Sequence, residues 1–206
     1  MNRTSVLSLV LISAGVLAAP FPARAEKWES DPAHSHVGFS VRHMMISNVK
    51  GAFGDYTVTV QGDPKDVTKA ALEVVIKTGS ISTRNEARDK HLKSPDFFDA
   101  AKYPAIKFKS KKIRKVGTDQ LEVLGALTIR GVTKDVTLKV QNLTAPVKDP
   151  FGMTRLGAEA SLVISRKDFG LKWNKVLEAG GVMVGDDVKV AIEMELVKKS
   201  KAEAKK

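Results

Sequence analysis

Apolar and polar residues alternate with a period of two along most of the chain. Val136, Leu138 and Val140, for example, are separated by Thr137 and Lys139. Because successive side chains of a β-strand point to opposite faces, this alternation is typical of a strand with one buried face. Segments of this kind predict about eight strands, over residues 34–43, 49–61, 70–77, 104–113, 121–129, 135–140, 156–164 and 187–196.

A single helical insert interrupts the strands. Thr83 and Glu86 have the spacing of a capping box, and Pro95 ends the helical stretch. The pattern therefore predicts an all-β protein with a short helical insert around residues 83–100.

The first predicted strand carries three of the four histidines. The alternation places His43 on the face of Val41, and His34 and His36 on the opposite face, so the three side chains do not converge. A metal-assisted or other enzyme using His34, His36 and His91 stays an alternative, although these residues have no recognised metal-ligand spacing. His43 either closes the end of an apolar core or contacts a ligand inside it.

The helical insert offers a candidate polar site. If residues 84–93 are helical, Arg84, Arg88 and His91 lie at positions i, i+4 and i+7 and form one cationic stripe. Such a stripe is suited to a phosphate group. The alternative is a solvated helix face whose charges are compensated by Glu86 and Asp89.

The N-terminal residues have the three parts of a secretory signal. Arg3 precedes an apolar run over residues 6–19, and Ala23-Arg24-Ala25 forms an A-x-A cleavage site. The run is too short for a comfortable membrane span. We therefore expect residues 1–25 to be a signal peptide that is cleaved before Glu26.

Composition narrows the classes of function. The chain has no cysteine, which excludes disulfides and thiolate chemistry. Its formal net charge is +11, but lysines crowd into residues 198–206, which we expect to be a disordered basic tail or a contact to an anionic membrane surface. Lysines such as Lys107 and Lys109 are typical of an outward strand face, so nucleic acid is not an expected partner.

Five stretches of the chain resemble the YceI-like family of secreted lipid-binding, or polyisoprenoid-binding, proteins. They are DPAHSHVGFSVRH, TRNEARDKHLKSPDFFDAAKYPAIKF, LGALTIRGVTKDVTL, ISRKDFGLKWN and VGDDVKVAIEMEL. The resemblance implies an eight-stranded antiparallel, lipocalin-like barrel over residues 26–197, enclosing an apolar tunnel and often forming a homodimer. It also implies a periplasmic protein that stores or transports a long-chain isoprenoid or similar amphiphile, of the polyprenyl phosphate or quinone type, without a cofactor.

Candidate ligand residues follow from combining this fold with the strand faces. The chain of the ligand is expected against Phe39, Val41, Phe53, Leu127 and Phe169, and its head near His43 or near Arg84, Arg88 and His91. We expect Arg166 to pair with Asp168 and to fix a loop, with Phe169 and Trp173 closing one end of the barrel.

An enzyme and a filled structural barrel are the alternatives to a barrel that holds a ligand. The chain lacks a G-x-S-x-G elbow, a G-x-x-x-x-G-K-[ST] loop and an H-E-x-x-H motif, so no common catalytic signature is present. A filled structural barrel stays open as well. Small inward residues, among them Gly125, Ala158 and Ala160, suit either a cavity or the taper of a filled barrel.

Overall fold

The structure, a computed structural model, describes residues 26–63, 66–178 and 180–200. The predicted signal peptide, residues 1–25, lies outside the described residues. Within these ranges no helix has the length and apolar character needed to cross a membrane. The regular elements are β1 Glu26–Ser30, β2 His36–His43, β3 Ser47–Phe53, β4 Tyr56–Gly62, β5 Ala71–Lys77, β6 Ile81–Ser82, α1 Glu86–Lys93, β7 Ala105–Lys115, β8 Leu121–Ile129, β9 Val132–Gln141, β10 Val147–Lys148, β11 Thr154–Ser165 and β12 Val184–Lys198.

The strands form a closed antiparallel barrel. Three strands of the wall are each broken in two, so that β1 and β2 lie end to end, as do β3 and β4, and β5 and β6. Together with β7, β8, β9, β11 and β12 they make a wall of eight strands. The wall closes because β12 pairs with β11 along one edge and with β2 and β1 along the other. The predicted eight-stranded, all-β barrel is confirmed.

The helical insert is shorter than predicted. Helix α1 is the only α-helix among the described residues, and turns follow it from Ser94 onward. The side chain of Asn85 caps the helix by accepting a hydrogen bond from the backbone N–H of Arg88 at 2.9 Å. The predicted cap at Thr83 is therefore wrong: Thr83 follows β6 and is buried, and its hydroxyl donates to Asp89 instead.

The barrel has a packed end and a hollow end. We call the end where β12 finishes at Lys198 the closed end, and the end where β12 begins at Val184 the mouth. At the closed end the interior is filled by buried apolar side chains, namely Trp28, Tyr56, Val58, Ile113, Leu121, Val123 and Leu196. The lack of a side chain at Gly125 does not create the space at the other end. A Cβ atom there would lie 2.3 Å from the ring of Phe108, which already occupies that position.

Arg155 ties the closed end together. Its Nη1 lies 2.6 Å from carboxylate oxygens of both Asp31 and Glu195, and its Nε lies 2.7 Å from Asp149. The ring of His34 is 3.0 Å from the same oxygen of Asp31. Hydrogen bonds from His34 and Arg155 lower the pKa of Asp31 from 3.8 to about 2. These contacts join the segment that follows β1 to both β11 and β12.

The wall extends beyond the predicted start of the basic tail. Lys198 pairs in register with Trp28, and the backbone N–H of Lys199 donates to the carbonyl of Lys27 at 2.8 Å. The predicted tail boundary at residue 198 is corrected accordingly, because Lys198 and Lys199 are paired with β1. Residues 201–206 lie outside the described residues.

We expect the free energy of unfolding to fall more steeply between about pH 4 and about pH 2 in the natural protein than in an Asp31→Asn variant. The folded-state pKa of Asp31 is depressed to about 2. Its stabilising contribution is therefore complete above the ordinary pKa and disappears as the pH falls through the folded value. Thermal melts across this pH range measure the difference, and asparagine retains an oxygen that accepts from Ala33.

Asp55→Asn is the matched control, because Asp55 forms an exposed surface pair with Lys77. This variant should keep the acid dependence of the natural protein. Parallel acid profiles for the natural protein and Asp31→Asn would contradict the assignment.

Candidate binding site

The hollow end of the barrel contains an inner cavity of about 180 Å³. Its lining is apolar apart from Arg166, and it includes Phe53, Ile76, Leu127, Leu162 and Ile192. Water needs two to four polar partners, whereas an apolar cavity of about 150 Å³ can stay dry and bind an apolar molecule. The inner cavity is therefore suited to an apolar group.

A second cavity of about 320 Å³, the mouth cavity, adjoins the inner one. The two share part of their lining, namely Phe39, Val41, Leu92, Phe97 and Val184. The mouth cavity adds polar side chains, among them His43, Thr83, Arg88 and His91. Small-molecule pockets measure roughly 300–1,000 Å³. The two cavities together make one amphiphilic site, apolar inside and polar at the mouth.

The insert after β6 supplies one wall of this site. Leu92 of α1 and Phe97 of the following turn line both cavities. The turn folds back on the helix because the N–H of Phe98 donates to the carbonyl of Leu92 at 3.0 Å. Arg130 fixes the turn from outside, donating to the carbonyls of Pro95 at 2.7 Å and Gly170 at 2.6 Å. Three loops are thereby joined at the mouth.

Arg166 holds a second wall of the mouth from inside. Its residue exposure is only 4%, yet its five N–H donors all find acceptors. They reach the carbonyls of Leu171, Trp173, Val184 and Gly185 and the carboxylate of Asp186, at 2.5–3.3 Å. Burial lowers the pKa of Arg166, and the nearby Asp186 carboxylate opposes that shift. With its donors occupied, Arg166 supports the loop rather than offering a ligand contact.

Three rings close the outer side of the mouth cavity. The ring of His91 stands edge-on to Trp173 and Phe97, with centroids 4.8 and 5.0 Å away. The rings of Phe97 and Trp173 are 5.2 Å apart. Asp96 lies 2.9 Å from Nε2 of His91 and orients it. A ligand head at the mouth would meet these aromatic rings together with the imidazoles of His91 and His43.

Thr83 connects the start of the insert to α1. Its hydroxyl and its backbone N–H both donate to Asp89, and the Nε of Arg88 donates to its hydroxyl oxygen at 2.7 Å. Burial tends to raise the pKa of Asp89, but the hydrogen bonds from Thr83 lower it overall. Arg88 is thus fixed in position at the mouth, with its Nη2 donating to the Thr83 carbonyl.

The structure brings most of the predicted ligand residues to the two cavities. The inner cavity is lined by Phe39, Val41, Phe53 and Leu127. The mouth cavity is lined by Phe39, Val41, His43, Arg88, His91 and Trp173. Phe169 lies in the hydrophobic core, 2% exposed, and is not part of either lining.

Two predicted arrangements are corrected. Arg84 has φ 59° and precedes the helix cap, so it is not helical and the stripe with Arg88 and His91 does not form. Arg166 pairs with Asp186 instead of Asp168. Both errors concern loop residues, whose partners depend on tertiary packing.

The histidines do not assemble into the alternative metal site. In the pairing of β2 with β12, His36 and His43 are seven residues apart, about 23 Å at the usual rise of a strand. His91 lines the mouth cavity together with His43, whereas His34 and His36 lie towards the closed end. His34, His36 and His91 are therefore separated along the barrel.

One other group of potential ligands is present at the closed end. Asp31, His34 and Glu195 lie close enough together to share a cation. However, Arg155 already occupies oxygens of both carboxylates. The group is satisfied as an ion-pair cluster.

Some lining residues from α1, the turn after it and the loop before β12 were not predicted from the sequence. Leu92, Phe97 and Met183 were not among the predicted ligand residues, although each lines the mouth cavity. Leu92 and Phe97 are apolar side chains within an otherwise polar insert. This contrast in the sequence could have indicated that the insert packs its apolar side chains over the barrel.

Known proteins resemble this chain in sequence and in fold. The model of the YceI-like domain matches residues 28–196. A UPF0312 protein of Staphylococcus aureus is 39% identical over 160 residues, which cover 77% of this chain and 90% of that protein. A solved YceI protein of Campylobacter jejuni is 34% identical with a TM-score of 0.64, covering 77% of this chain and 90% of its own.

A more distant solved structure shares the fold alone. It is a polyisoprenoid binding domain from Saccharophagus degradans, 18% identical with a TM-score of 0.61. The match covers 84% of this chain and 98% of that one.

We expect Arg166→Met to lower the free energy of unfolding by about 3–5 kcal/mol, because the buried carbonyls that the guanidinium satisfies would lose their donors. Urea denaturation measures the change. Lys167→Met is the matched control: its side chain is 48% exposed, and the substitution should change stability by less than about 0.5 kcal/mol. Equal stabilities for the two variants would show that Arg166 does not hold the mouth.

Proposed function

Because the chain belongs to the YceI-like domain family, we propose that it is a binding protein that holds one long-chain isoprenoid or similar amphiphile inside its barrel. The observation that carries the proposal is the inner cavity of about 180 Å³, apolar apart from Arg166, joined to a polar mouth. A container for an amphiphile needs both parts. The name of the Saccharophagus degradans domain supports an isoprenoid as the ligand class.

The apolar chain would supply most of the affinity. Each buried methylene contributes about 0.8 kcal/mol, so several isoprene units outweigh one or two hydrogen bonds to a charged side chain, worth about 1.5–3 kcal/mol each. We therefore infer that the inner cavity determines binding strength. The head group would then decide which amphiphile is preferred.

The head would lie in the mouth cavity. Arg88 and His91 line it from α1, and His43 lines it from the end of β2. An anionic phosphate would be attracted by the guanidinium, and a quinone head would stack on Trp173. Both head classes proposed from the sequence are compatible with this lining.

Storage or transport of the ligand is proposed in preference to catalysis. Among the described residues the alternative cluster of His34, His36 and His91 is not assembled. Arg166 uses its donors on loop carbonyls. We further propose export to the periplasm, which the charged start, apolar run and Ala23-Arg24-Ala25 site support. The mature protein would then begin at Glu26.

We expect Val190→Phe to weaken binding of a long polyprenol by about 10- to 100-fold, because a ring in the inner cavity displaces two or three buried methylenes. Val190 lines that cavity. Lipid-free protein titrated with polyprenols of defined length, followed through Trp173 emission, measures the affinity. Trp28, the other tryptophan, is buried at the closed end and serves as an internal reference.

Val163→Phe is the matched control, since Val163 lies on the neighbouring strand β11, is 61% exposed and faces outward. It should bind polyprenol as the natural protein does. If Val190→Phe binds polyprenol as tightly as Val163→Phe does, the chain is not in the barrel and the proposal fails.

A further inference from the structure

The rim of the mouth exposes large apolar side chains. In the turn between β2 and β3, Met45 is 61% and Ile46 is 75% exposed, and in the loop before β12 Val176 is 84% exposed. The two segments touch, because the N–H of Met44 donates to the carbonyl of Met183 at 2.8 Å. Exposed apolar side chains that cluster in this way mark interaction surfaces.

The turn that carries the methionines has an unfavourable backbone for its residues. Met44 and Met45 have φ values of 49° and 61°, and the N–H of Ile46 closes the turn on the carbonyl of His43 at 3.0 Å. His43 pairs with Ser47, so the loop has three residues, and the first two are left-handed. This conformation favours glycine or asparagine and costs other residues roughly 1 kcal/mol each. Two exposed methionines in a backbone conformation of this energetic cost point to a role for their side chains.

Cationic side chains flank the same rim. Arg42 donates from Nη2 to the carbonyl of Met45 at 2.8 Å, and Lys175 accepts at its carbonyl from the N–H of Met183 at 2.9 Å. Lys172 is exposed in the same loop. Within residues 42–46 and 172–183, Glu178 is the one acidic residue in the sequence. The rim therefore combines protruding apolar groups with a surrounding excess of positive charge.

We propose that this rim, formed by residues 42–46, 172–178 and 180–183, docks the mouth of the barrel on an anionic phospholipid surface. Met45, Ile46 and Val176 would enter the boundary between head groups and acyl chains, while Arg42, Lys172 and Lys175 meet lipid phosphates. His43 and Met183 belong to the rim and also line the mouth cavity. The proposal rests on the proposed function, because docking there gives an amphiphile a path from the bilayer into the barrel without crossing water.

The described lysines at the end of β12 lie at the opposite end of the barrel from the rim. Strand β12 runs from the mouth at Val184 to the closed end at Lys198, a distance of about 46 Å along the strand. Lys198 and Lys199 both bond to β1 at the closed end. The closed end has exposed apolar residues of its own, Val147 and Phe151, at 61% and 87% exposure, and these provide a matched comparison.

The test is co-sedimentation of the full exported protein with equimolar phosphatidylglycerol and phosphatidylethanolamine vesicles. The double variant Met45→Ser with Ile46→Ser should weaken vesicle binding by about tenfold or more, since two interfacial apolar anchors are removed. The double variant Val147→Ser with Phe151→Ser should bind vesicles like the natural protein. Phosphatidylcholine vesicles and added salt should both weaken binding.

Polyprenol binding in solution, measured on the same proteins, separates this inference from the proposed function. The rim variant should keep its equilibrium capacity for polyprenol, because neither Met45 nor Ile46 lines a cavity. Vesicle binding without polyprenol binding would remove the proposed function and leave docking in place. Docking is overturned if the natural protein loads polyprenol but ignores vesicles, or if the closed-end variant is the one that detaches. It is also overturned if the rim variant only converts a dimer to a monomer.

Discussion

The pairing of β12 on both of its edges is the interaction on which the rest of the structure depends. Along its length it bonds to β11, and on the other edge to β2 and then β1. This pairing turns the succession of strands into a closed wall. In a chain without cysteine, a wall held by its own pairing allows part of the interior to stay unfilled.

The two ends of the wall are held by different chemistry. Large apolar side chains and the ion pairs of Arg155 fasten the closed end. At the mouth, Arg130 and Arg166 donate to loop carbonyls and so replace the strand pairing that the loops lack. The loops at the mouth are therefore held in place beside an apolar interior, with polar side chains at the entrance.

The period-two alternation was sufficient to predict most of the wall, because strand facing is a local property of the sequence. It missed β1 and the break between β3 and β4. It also separated His43, which lines the mouth, from His36, which is exposed on the opposite face. The alternation could not reveal that Arg166 bonds to Asp186 across the mouth, or that Arg84 adopts a left-handed conformation outside the helix. Those features depend on which loops meet in three dimensions. The alternation also could not predict the cavity. The space beside Gly125 is occupied by the ring of Phe108, and the cavity is lined by residues from many strands of the wall.

The central claim is that the barrel is a container whose apolar interior is occupied by the chain of an amphiphile. Native mass spectrometry of the protein purified from the cells that produce it, followed by organic extraction, tests it most directly. The account predicts a polypeptide that begins at Glu26 and carries one extractable molecule with a long apolar chain. A protein that emerges empty and takes up neither polyprenol nor quinone when these are supplied would contradict it.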